Sequence, residues 1–101
     1  MMKMYILVRE LIPPGFAILG TAHGSIACYI QYQDHPDTIQ WLSGPFHKVV
    51  CKVSDMEFEQ VKMLDDHVLI TESKLDGAEV ALAFRPRANW PDAFKYFRLY
   101  R

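Results

Sequence analysis

At 101 residues the chain has room for one domain, residues 1–101, and its 50% hydrophobic and 23% charged content fits a folded chain rather than a disordered one. A net charge of −1 excludes a protein that works by bulk cationic attraction to nucleic acid or membrane. Two cysteines, Cys28 and Cys51, are too few for a disulfide scaffold and point to a reducing, cytoplasmic setting.

Met4-Tyr5-Ile6-Leu7-Val8 is a continuous apolar run of β-formers and predicts a central strand buried on both faces. Arg9-Glu10 stops it too soon for a signal peptide. After the Pro13-Pro14-Gly15 break, Phe16 to Tyr32 predicts a helix with Pro14 tolerated near its first turn. Its expected buried face holds Phe16, Leu19, Gly20, His23, Ile26, Ala27 and Ile30, with Thr21, Ser25 and Tyr32 opposite. Gly20 and Gly24 are explained by a close approach of this helix to a sheet. The stretch Phe16 to Ile30 is too short and too mixed to span a bilayer, so no membrane partner is expected.

Asp34-His35-Pro36-Asp37 leads into a helical turn over Thr38–Leu42, which Ser43-Gly44-Pro45 ends. His47 to Val53 is the second strand. Ser54-Asp55-Met56-Glu57 is a capping box opening a helix with Phe58, Val61 and Leu64 inside. Val68–Thr71 and Glu79–Phe84 are the third and fourth strands, and Asp76-Gly77 between them predicts an antiparallel hairpin. A right-handed crossover makes the first two strands parallel. The expected class is α/β: a small four-stranded mixed sheet, β-α-β-α-β-β, flanked by helices.

Four features are candidates for chemistry. The Pro-Pro-Gly turn ahead of the first helix places orphan N–H groups where an anion could sit. His23 is either a general base near that helix or a satisfied core imidazole. Glu72 follows the third strand, as a cleft carboxylate or a solvated loop charge. Residues 85–101 carry five basic side chains against Asp92 alone, and interleave Arg85, Arg87 and Arg98 with Trp90, Phe94 and Phe97. That tail reads equally as a phosphate-and-base surface or as aromatics completing the core beneath solvated arginines. No dinucleotide or P-loop motif occurs, the histidines lack metal-ligand spacing, and neither cysteine has a neighbouring base. No cofactor and no metal are therefore expected.

Taken together, Met4–Arg9, Gly15 with Ala22-His23-Gly24-Ser25, His47–Val53, Leu69-Ile70 before a carboxylate, Ala81–Pro86 and the closing Phe97-Arg98-Leu99-Tyr100 resemble the type 2 peptidyl-tRNA hydrolases. The resemblance implies a four-stranded mixed sheet, tRNA as a partner, and His23 and Glu72 at the catalytic positions with Arg85, Arg87 and Arg98 on phosphate. A homodimer is left open. The departures fall on the chemistry. Where the family has a lysine before the first helix this chain has Pro14, and no lysine occurs between Lys3 and Lys48. The family's aspartate and threonine become Glu72 and Asp76, and a further threonine becomes Val80. Losing one cation or oxyanion donor removes on the order of 3 kcal/mol of transition-state stabilisation. The expected function is a divergent peptidyl-tRNA hydrolase-like protein with weak or lost ester hydrolysis. The alternative is a non-catalytic RNA- or protein-binding module on the same fold.

Overall fold

The fold is described from a computed structural model covering residues 1–101. Its strands are β1 (Met4–Arg9), β2 (Lys48–Val53), β3 (His67–Glu72), β4 (Ala78–Phe84) and β5 (Arg98–Leu99); its helices are α1 (Pro14–Tyr32), α2 (Pro36–Ser43) and α3 (Asp55–Lys62). They build one mixed sheet in the order β3-β4-β1-β2-β5. β1 and β2 run parallel from Met4 opposite Lys48 to Arg9 opposite Val53. β4 pairs antiparallel with both β1 and β3. The α/β class, the parallel first pair and the antiparallel hairpin agree with the sequence reading.

The sheet has five strands where four were expected. Arg98–Leu99 adds beside β2, with Cys51 opposite Leu99 and Lys52 opposite Arg98. Two residues are too short to carry an alternating pattern, so local sequence could not mark this strand. The second helix also runs longer than the expected turn, over Pro36–Ser43. Pro36 at its first position loses no hydrogen bond there, and the His35 ring caps it by accepting from the Asp37 N–H at 3.0 Å. Between β3 and β4 the chain makes a short 3-10 turn, Ser73–Leu75, before Asp76 and Gly77 take positive φ angles of 56° and 78°.

β1 alternates its side chains between two cores. Met4, Ile6 and Val8 face α1, while Tyr5 and Leu7 face α3 and the C-terminal segment. Burial on both faces explains the unbroken apolar run. α3 starts from the expected capping box: Ser54 Oγ accepts from the Glu57 N–H at 3.1 Å, and Glu57 Oε1 accepts from the Ser54 N–H at 2.8 Å. It seats Phe58 and Val61 in the second core. Fully burying a side chain such as Phe58 contributes roughly 1.5–3 kcal/mol. Phe94 is buried in the same core, with Trp90 and Phe97 packed against it. Tyr5, Trp90 and Phe94 meet edge to face or tilted, with centroids 4.7–5.1 Å apart. Of the two readings of the tail aromatics, completion of the core is the one these contacts match.

α1 is rotated by roughly 100° from its expected orientation, with Gly20 on both the expected and the observed inner face. Ala17, Gly20, Gly24 and Cys28 face the sheet, while Leu19, His23, Ile26 and Ile30 lie on the exposed side. The small residues win the inner face because they let the helix backbone come close. A Cβ built on Gly20 would stand 2.6 Å from Val80, and one on Gly24 would stand 3.3 Å from Ala83. Larger side chains at those positions would hold the helix off the sheet and open voids.

Candidate functional site

The expected site residues fall in three separate places. Glu72 ends β3 opposite Ala78, whereas Arg85 follows the far end of β4, beyond Phe84 opposite His67. Seven residues of extended chain between Ala78 and Arg85 correspond to about 23 Å. Glu72 and Arg85 therefore do not share a cleft: Glu72 stands at the turn of the hairpin and Arg85 at its open end. His23 stands on the exposed side of α1, neither a buried core imidazole nor a neighbour of the helix N-terminus.

Glu72 is engaged locally. Its Oε2 accepts from the Lys74 N–H at 2.9 Å and caps the 3-10 turn. At the same end of the sheet Arg9 donates to the Glu79 carbonyl at 2.8 Å and to Asp55 at 3.0 Å. Lys62 pairs with Glu79 at 2.7 Å, which raises the pKa of its ammonium. These cations already have carboxylate or carbonyl partners.

Arg85 is 8% exposed and forms a knot at the other end. Its Nη1 donates to Asp37 Oδ2 at 3.0 Å and to the Pro86 carbonyl at 2.9 Å, and Nη2 stands 3.6 Å from Asp66 Oδ2. Its backbone N–H donates to the Asp66 carbonyl at 2.8 Å. The knot joins the start of α2 to the entry of β3 and the exit of β4. Nearby, the Tyr32 hydroxyl donates to the His67 carbonyl at 3.3 Å, and burial pushes the Tyr32 phenol up and the His67 imidazole down. Arg98 pairs with Glu10 at 2.9 Å, and the half-buried Arg87 lies 5.5 Å from the Trp90 ring centroid. Of the three arginines read as phosphate contacts, two are held by carboxylates and one by an aromatic face.

The surface without such internal partners is apolar. α1 packs over β1, β4 and β3, which leaves the α1-side face of β2 and β5 largely uncovered. A groove runs along that gap. One hollow of about 250 Å³ is lined by Ala17, Ile18 and Thr21 with Val50 and Tyr100. A second, of about 370 Å³, lies between Ala22, Ile26 and Tyr29 of α1 and Trp41, Leu42 and Phe46. Ile18 is 72% exposed, Ile26 55% and Ile30 58%, and Leu42 and Phe46 are about half exposed. Single exposed apolar residues are ordinary, but a contiguous strip of them marks an interaction surface. α1 carries no Asp, Glu, Lys or Arg in nineteen residues. An uncharged helix whose outward side still carries Ile18, Leu19, Ile26 and Ile30 belongs to a covered position. That absence of charge was the sequence signal for this face; reading one buried stripe obscured it.

Both thiols lie inside. Burial pushes Cys28 up to about 12 and Cys51 up to about 11, which suits packing and not nucleophilic attack. No helix is long and apolar enough to cross a membrane. Compared with protein-family models and with curated proteins, the chain matches none.

Proposed function

We propose that this chain is a non-catalytic protein-docking module on a type 2 peptidyl-tRNA hydrolase-like α/β scaffold, with hydrolysis of the peptidyl-tRNA ester weak or absent. The observation that carries the proposal is the uncharged, outward-facing side of α1 with the groove beside it. Ester hydrolysis needs a base, a positioned water and a cation within hydrogen-bond reach of one reacting centre. Here His23, Glu72 and Arg85 are dispersed, and Pro14 brings no charge to the α1 N-terminus. The RNA-binding reading is less favoured because Arg85 and Arg98 would have to leave Asp37, Asp66 and Glu10 to reach phosphate.

Two assays test the proposal. Purified protein at micromolar concentration should release no N-acetyl-aminoacyl group from tRNA above background. An environment-sensitive apolar dye should brighten on the native protein and lose that response in the double variant Ile18→Asn, Ile26→Asn. Turnover that depends on Glu72, or a dye response indifferent to the α1 changes, would remove the reading.

A further inference from the structure

Accepting α1 as a docking face, the charges bordering the groove select its occupant. We propose that the groove receives an amphipathic helix of another protein, apolar along its buried stripe and acidic along the flank that faces β2.

The shape favours a helix. The uncovered surface is a sheet face two strands wide beside an existing helix. Neighbouring strands are about 4.8 Å apart, and a second helix packs about 8–10 Å from the first, so one helix fills such a gap. The groove presents side chains, which suits recognition of apolar anchors from a helix. Ile18, Ala22 and Ile26 follow one another at spacing four on its α1 wall, with Val50 and Tyr100 facing one end.

The charge pattern selects the flank. Neither hollow is lined by a carboxylate. Lys48 and Lys52 share the α1-side face of β2, about 13 Å apart along the strand. Lys48 Nζ lies 4.6 Å from the Phe46 ring centroid and 5.3 Å from that of Trp41; Lys52 Nζ lies 4.6 Å from that of Tyr100. Their hydrogen bonds are to main-chain oxygens, of Phe46 and Arg101, both at 3.4 Å. By contrast Arg9, Lys62, Arg85, Lys95 and Arg98 each meet a side-chain carboxylate. Two carboxylates placed about two turns apart on a docked helix would span roughly 11–12 Å and answer both lysines. A second copy of this chain would offer its own α1, which has no carboxylate to give. A lipid surface is flat, whereas the recess between α1 and β2 is concave.

The probes are two designed helical peptides of about four turns, leucine-striped, one with glutamates along a flank and the other with lysines there. Fluorescence anisotropy on the full chain should give about tenfold tighter binding of the acidic peptide at low salt, the size that two solvent-facing ion pairs support. Added salt should erode that preference on the native protein. Lys48→Glu with Lys52→Glu should reverse it, and Ile18→Asn with Ile26→Asn should weaken both peptides, with thermal melting checking that each variant is folded. Equal affinity for the two peptides would overturn the acidic partner and leave the docking face standing. No binding of either at millimolar peptide would overturn both. Sedimentation showing a dimer broken by the Ile18 and Ile26 changes, or co-sedimentation with phosphatidylserine vesicles lost in the same variant, would assign the groove to another occupant and overturn the inference.

Discussion

Replacing Gly20 by alanine sets helix propensity against steric fit. Alanine is favoured over glycine inside a helix by about 1 kcal/mol. The added Cβ would stand 2.6 Å from Val80 Cγ1, on a residue only 1% exposed. Reaching ordinary contact at 3.4 Å requires about 0.8 Å of movement. Val80 cannot supply it cheaply: it is β-branched, with a stiff first torsion, and it is packed inside the first core. Overpacking of this kind costs about 1–3 kcal/mol. The net expectation is a loss of about 1 kcal/mol, or roughly 4–8 °C in Tm for a domain of this size. Gly15→Ala is the control, since a Cβ there meets nothing within 4 Å, and it should stabilise by up to about 1 kcal/mol. Adding Val80→Ala to Gly20→Ala should relieve the clash, giving a coupling of at least about 1 kcal/mol in a double-mutant cycle. Urea denaturation followed by circular dichroism measures each variant. If Gly20→Ala proved as stabilising as Gly15→Ala, or if the Gly20 and Val80 changes simply added, the close helix–sheet approach would be wrong.

Arg85→Met should cost about 2 kcal/mol in urea denaturation, because it strips the cation from Asp37 and Asp66; the figure sits below that for a fully buried pair since both carboxylates are partly exposed. Its cost should shrink when Asp37→Asn is already present, and unchanged cost in that background would show the knot to be energetically idle. His67 supplies a pH dependence. Burial holds its folded pKa below the ordinary 6.5, so as pH falls the unfolded chain takes up the proton first. Its contribution is complete above pH 6.5 and is lost as pH drops through 6.5 toward the folded value; His67→Gln should therefore flatten the decline in stability between about pH 7.5 and 5. A parallel decline in both proteins would rule this source out. Iodoacetamide at about pH 8 should leave Cys28 and Cys51 unmodified in the folded protein and label both in urea, because burial disfavours each thiolate. Rapid labelling of the native protein would place one of them at an accessible site.

Some features were legible in the sequence because their causes are local. The unbroken run Met4–Val8 announced a strand buried on both faces, since no alternation is needed when both sides are covered. Ser54 and Glu57 announced the start of α3 because a capping box is closed by residues three apart. Gly20 and Gly24 announced a close approach between α1 and the sheet. What local pattern could not supply was which side of α1 would land there. α1 carries no charge on any side, and its few polar residues, Thr21, His23, Ser25 and Gln31, do not gather on one face, so periodicity had only a weak bearing and the choice fell to the shape of Val80 and Ala83 beneath it. The same holds for β5, which exists because β2 has an open edge and not because Arg98-Leu99 has a strand signature. Glu72 closes β3 at the turn of the hairpin whereas Arg85 follows β4 at its open end, and antiparallel pairing holds the C-terminal ends of the two strands at opposite ends of the sheet. Sequence determined the elements, through contacts a few residues apart; tertiary structure alone decided which faces meet and which charges find partners, because those depend on surfaces that exist only once distant segments are packed together.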